Sequence, residues 1–279
     1  MKLLVFLLLP YLSLSEVVPK FGQCMQFFLN DDPPQYTPSR STPPNADEHI
    51  CQCLWDDSDN KIYLYATLYS KTWKIPIYSA YVFGSPNIGR CDVWYIEPQL
   101  DIKVEDPCMR PKGYNRNIGQ NQAVNKDYDK SGYDRGHLYP VQHTNNHLSM
   151  LATSTLTNAA PQDPEFNQKA WKVHEKAVTD DLKSCDKAFV VTGVVPDTNK
   201  KINGRVTVSK YYWRATCCQK GLAFRGNGYY GPDNNGRVQS LSIRDLQKQL
   251  IKDYKINYFI IFPSLPIPAG HKRPISDCN

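Results

Sequence analysis

SGYDRGHLYPVQHTNN (131–146) and TLTNAAPQDPEFNQKAWKVHE (155–175) carry more information than any other part of this 279-residue chain. Between them they hold an Arg-Gly-His triplet, several side-chain amides and a carboxylate. The second stretch reads as a helix. Asp163 suits the N-cap and Pro164 the first helical position. No Gly or Pro then interrupts residues 165 to 185. At helical spacing Asn167, Trp171 and Glu175 fall at i, i+4 and i+8 and are expected on one face. A Trp flanked by Asn and Glu is a poor core stripe and a reasonable wall for a site, with Trp171 itself expected to pack rather than to touch a ligand.

These residue types restrict the chemistry. No G-x-S-x-G signature is present to mark a serine nucleophile. His137 offers a neutral base near pH 7. Asn167 offers a neutral oxygen, which suits a hard cation such as Mg²⁺ that keeps most of its waters. Glu175 is placed to hold one of those waters. Arg135 presents a fork of donors matched to phosphate. A base, a hard metal and a guanidinium around a phosphate describe phosphodiester hydrolysis. His143 and His147 lie four apart, but no carboxylate follows as in H-E-x-x-H, so a zinc pair is not expected. His174 is expected at the surface.

In three boxes the chain resembles the DNA/RNA non-specific endonucleases, and within them the branch of secreted endonuclease domain-containing 1 proteins. The boxes are Asp134-Arg135-Gly136-His137, Asn158 to Gln162 (N-x-x-P-Q), and Asn167, Gln168, Trp171 and Glu175 (N-Q-x-x-W-x-x-x-E). Their order and spacing are far more specific than any one box, and the likeness extends from about Phe21 to Pro266. The resemblance implies a ββα-metal (His-Me finger) fold. It implies His137 as general base, Asn167 as direct ligand of one Mg²⁺ or Mn²⁺, and Glu175 as ligand of metal-bound water. Arg135 and Asn158 would act as catalytic supports, and Gln162 is a further substrate-side candidate. Cleavage of both DNA and RNA, leaving 5′-phosphates, is likewise an implication of the resemblance. The sequence departs from the family upstream. Trp94 and Glu97-Pro98 match a segment that often carries a second Arg, but Asp92 stands where that Arg falls. Arg90 is the nearby candidate for the same phosphate.

Towards the N-terminus, Met1 to Ser15 reads as a secretory signal: Lys2, then LLVFLLLPYL, then the small residues LSLS. The run is too short, and too broken by Pro10, for a membrane span of about 20 apolar residues. Residues 16–279 are expected to form one secreted domain, with a Pro-rich N-terminal lead-in (DDPPQYTPSRSTPPNAD) and a Pro-rich C-terminal tail. Nine cysteines in such a chain imply a disulfide framework with at least one sulfur left over. Cys51 and Cys53, and the adjacent Cys217 and Cys218, are each expected to send their sulfurs to different partners. The formal net charge of +6 favours a polyanionic partner without marking a track, because the basic residues are scattered.

The remaining pattern is mixed. Strands are expected over residues 61–70, 75–83, 188–195 and 205–217, with residues 222–224 pairing and an edge strand near 258–262. Residues 226–236 and 101–130 read as loops, residues 16–60 as irregular, and residues 242–253 as an amphipathic helix capped by Ser242. The expected fold class is therefore α+β, a central antiparallel sheet flanked by helices. The function expected is a secreted, metal-dependent endonuclease acting on nucleic acid, DNA and RNA alike. Its rivals are a catalytically impaired nucleic-acid-binding protein on the same fold and a hydrolase of another phosphodiester. Monomer and homodimer are both compatible with the sequence, and no membrane anchor is expected in the mature chain.

Overall fold

The structure is a computed structural model and describes residues 17–38, 46–85, 89, 93–111, 117–234 and 236–265. The expected signal, Arg90, Asp92, Cys91, Cys278 and the C-terminal tail lie outside these residues.

The expected α+β class is what the chain adopts. Eight strands form one antiparallel sheet in the spatial order Val17–Val18, Asp47–Trp55, Lys61–Ser70, Ile75–Val82, Lys187–Ile202, Val206–Lys220, Ala223–Pro232 and Gln239–Leu241. Side chains alternate between its faces. Tyr212, Arg214 and Cys218 project to one side, while Trp213, Ala215 and Cys217 join the core on the other. The second side is closed by the helix Ile243–Tyr254, which buries Leu246, Leu250 and Tyr254. Ser242 accepts a hydrogen bond from the Asp245 amide at 3.0 Å, as its capping position requires. The first side carries the functional elements.

Two expectations are corrected. Residues 47–55 are not irregular. They form a nine-residue strand with buried Ile50, Cys51, Cys53 and Leu54, and its charged start (Asp-Glu-His) hid the pattern. Residues 226–232 are not a loop but continue the strand Ala223–Pro232, whose start was expected to pair. Their glycines are where the helix lies close: a Cβ on Gly228 would sit 2.9 Å from the Cβ of Leu246, and one on Gly226 2.9 Å from Ile243. The edge pair near the C-terminus is Phe259–Ile260 against Gln35–Tyr36, in a small sheet of its own.

Cys51 and Cys53 do part company: Cys24–Cys51 and Cys53–Cys108 tie the lead-in and a later loop to one strand. Cys185–Cys218 fastens the chain after the functional helix to the sheet. Among the described residues Cys217 has no disulfide partner, and it is buried in the opposite core, where desolvation pushes its thiol up to about 12.

Candidate active site

The Arg-Gly-His box is the strand Asp134–His137, paired antiparallel with Ala159–Gln162 so that His137 stands opposite Ala159 and Asp134 opposite Gln162. The pair lies flat on the sheet, and Gly136 explains how. A side chain there would run into Gln162 and the Tyr212 hydroxyl. That hydroxyl instead donates to the Ala160 carbonyl at 3.0 Å. Gln162 is therefore wholly buried beneath Gly136 and does not reach the cavity, which corrects its assignment to the substrate.

Asn158 is corrected in the same way. It is fully buried: its Oδ1 accepts from the Tyr139 amide at 3.0 Å, and its Nδ2 donates to the carbonyls of Tyr139 and Thr153 at 3.0 and 2.8 Å. With its amide consumed by backbone, Asn158 clamps the chain that leaves His137. It does not line the cavity.

The helix follows directly as Pro164–Phe166, a π turn over Asn167–Trp171, and Lys172–Leu182. Asp163 caps it, accepting from the Phe166 amide at 3.0 Å. The wider π turn alters the expected face. Asn167 and Glu175 come into line on the cavity with Gln168 and Lys172. Trp171 is wound aside into the core, 1% exposed, against Phe166, Tyr212 and His174. His174 is buried as well, contrary to the surface position expected for it, with its ring 4.6 Å from that of Tyr229. Burial first, and then the Arg214 charge, hold its imidazole well below the usual histidine range.

Strand pair and helix enclose a cavity of about 660 Å³ lined by His137, Arg135, Asp134, Asn167, Glu175 and Trp94, among others. The side-chain amide of Asn167 donates to Asp134 Oδ2 at 2.9 Å, and Gln168 donates to the same oxygen at 3.0 Å. Asp134 thus fixes which end of the Asn167 amide is spoken for and leaves the carbonyl oxygen as the end available to a cation. Glu175 accepts from Arg214 Nη2 at 3.2 Å. Its burial raises the carboxyl above the usual range, with Arg214 opposing that shift. Arg135 stands between two aromatic rings, 5.3 Å from Trp94 and 5.1 Å from Tyr128, with Nη2 donating to the Asn125 carbonyl at 3.4 Å. Such stacking holds a guanidinium in place while its fork keeps donors for an anion.

Trp94 also lies 5.0 Å from the His137 ring. It is positioned by the neighbouring Tyr95 amide, which donates to the Ser154 carbonyl at 2.8 Å, and by Glu97, which accepts from Thr157. His143 is buried, its Nδ1 sits 2.9 Å from the Tyr81 hydroxyl, and burial lowers its pKa well below the usual value. Among the described residues no three His, Cys, Asp or Glu side chains gather into a metal-holding group. The donors that do converge, one amide oxygen and one carboxylate, fit a hard ion that retains most of its waters.

Asp233 accepts from the Asp163 amide at 2.9 Å and so steadies the start of the helix. Burial pushes its carboxyl up to about 8. Unfolded, it titrates near 4, so between about pH 4 and 8 the folded chain keeps a proton that the unfolded chain has lost. Stability then falls as pH rises through that window. Asp233→Asn is expected to melt above the wild type at pH 8 and level with it at pH 4, as read by thermal denaturation at both values.

Sequence reasoning overlooked Arg214, which a strand pattern alone marks only as a polar residue on an apolar strand. It also passed over the roles of Asp134 as an amide anchor and of Trp94 as a wall.

Human endonuclease domain-containing 1 protein is 31% identical over 246 residues, covering 82% of this chain and 46% of its own length. The chain thus spans just under half of that relative. Human mitochondrial endonuclease G is 41% identical over 73 residues, 26% of this chain and 25% of that protein. A crystal structure of the EndoG/EndoGI complex superposes with a TM-score of 0.52 at 19% identity, covering 70% of this chain and 82% of that one, a likeness of fold. The profile of the DNA/RNA non-specific endonucleases matches residues 54–259, and the chain belongs to that family.

Proposed function

We propose that this protein is a secreted, divalent-metal-dependent endonuclease that hydrolyses DNA and RNA with little sequence preference. The observation that carries the reading is the convergence of His137, Arg135, Asn167 and Glu175 on one cavity between a strand pair and a helix. The Asn167 oxygen and the Glu175 carboxylate would hold a divalent ion and its waters, and such an ion would supply Lewis-acid stabilisation of the phosphate charge. His137 takes the proton from the attacking water as that water adds to phosphorus. Arg135, fixed between its two rings, holds a non-bridging phosphate oxygen. None of these groups reads a base edge, which accounts for weak sequence preference. The disulfides among the described residues support an oxidising destination.

Plasmid and RNA cleavage is expected with Mg²⁺, to stop in EDTA, and to return when Mg²⁺ is restored in excess. Retention of DNA that weakens with salt but never leads to cleavage, at any Mg²⁺ concentration, would replace this reading with that of a binding protein.

A further inference from the structure

Arg214 lies on the central strand Val206–Lys220, fully buried beneath the functional helix. A cation in such a place is costly, and exchanging a buried ion pair for apolar residues is often neutral or stabilising. Packing alone therefore gives little reason for its presence. Its contacts are directional. Nε donates to the Thr192 hydroxyl at 2.9 Å, Nη2 donates to Glu175 Oε1 at 3.2 Å, and the guanidinium carbon lies 4.9 Å from the Trp171 ring centre. Among the described residues Nη1 finds no hydrogen-bond acceptor, so the site is not fully satisfied as a structural anchor. Thr192 comes from the neighbouring strand, directly opposite Arg214 in register. Sheet, arginine and carboxylate form a single line that ends in the cavity, where Glu175 remains 13% exposed.

We propose that Arg214 is a positioning residue that acts through Glu175, fixing one carboxylate oxygen from beneath so that the other is presented to the waters of the metal. This rests on the reading of Glu175 given above. Indirect supports of this kind typically alter metal affinity or activity by about 10–100-fold. A lysine would keep the charge but lose the planar fork that bonds Thr192 and Glu175 together.

The test is a double-variant cycle on the full mature protein, with Arg214→Lys, Glu175→Gln and the two combined. Thermal melting, Mn²⁺ affinity by calorimetry with the metal alone, and kcat and KM on plasmid DNA are read for each. Arg214→Lys is expected to weaken Mn²⁺ binding and kcat by about tenfold with KM for DNA unchanged. In the Glu175→Gln background the same change is expected to alter neither. Should Arg214→Lys fail to fold, Arg214→Gln combined with Glu175→Gln leaves no unpaired charge and is compared with Glu175→Gln alone. Wild-type Mn²⁺ affinity and kcat in a variant that merely melts lower, or effects that multiply with those of Glu175→Gln, would overturn the proposal while leaving the nuclease reading intact. A folded wild type that neither cleaves nor binds Mn²⁺ would overturn both.

Discussion

His137→Ala is expected to lower cleavage of plasmid and RNA at saturating Mg²⁺ by about 10²–10⁴-fold, the usual contribution of a positioned general base. The thermal midpoint and Mn²⁺ affinity should stay at wild-type values. The reason lies in where His137 sits. It is the last residue of a strand that is held by its partner strand through four register pairs and by Asn158 just beyond. Its ring faces Trp94 and the cavity and belongs to none of the buried clusters. Removing the imidazole takes away a proton acceptor at the cavity and leaves the strand pairing in place. Initial rates on supercoiled plasmid decide the matter. A variant within tenfold of the wild type would place the base elsewhere.

Trp171→Ala is expected to have the largest effect on stability, about 3–5 kcal/mol. At about 2–4 °C per kcal/mol for a domain of this size, that lowers the melting midpoint by roughly 10 °C. Trp171 is the largest of the side chains through which the functional helix touches the sheet, meeting Tyr212 at 5.3 Å and Arg214 at 4.9 Å. Truncation leaves a cavity at that junction and uncovers one face of the buried arginine. Trp171→Phe keeps most of the contact and should cost less than half as much. Calorimetric melts of the two variants side by side check both statements. Equal losses would show that the indole is not what joins helix to sheet.

The three boxes were legible because their residues act locally. His137 and its strand, the Asp163 cap and the Asn167–Glu175 helix all fall within one continuous stretch, where spacing carries geometry. The residues that sequence reasoning misplaced depend on what packs against them, whether from near or far in the chain. Asn158 and Gln162 have the polarity of site residues, but whether an amide faces a ligand or a carbonyl depends on what packs above it. Arg214 lies 39 residues beyond Glu175, on a strand whose alternation shows which face it takes and not what waits there. His174 was read as exposed because an ideal helix turns it outward, and the π turn together with Tyr229 from a distant strand buries it. The glycine-rich strand 223–232 was lost because its glycines answer to a helix that follows it.

The π turn also makes the functional helix a ruler. One residue more than an α-helix needs is stored between Asn167 and Trp171, in a segment that is well capped at its start and tied by a disulfide just past its end. Both ends are therefore fixed, and a single deletion among residues 168–170 would be absorbed by rewinding that turn rather than by moving the helix. Rewound as plain α-helix, the shortened spacing would still leave Asn167 and Glu175 within about 20° of one another. The turn thus holds a spare residue, and the helix can lose one there while Asn167 and Glu175 keep to the same face.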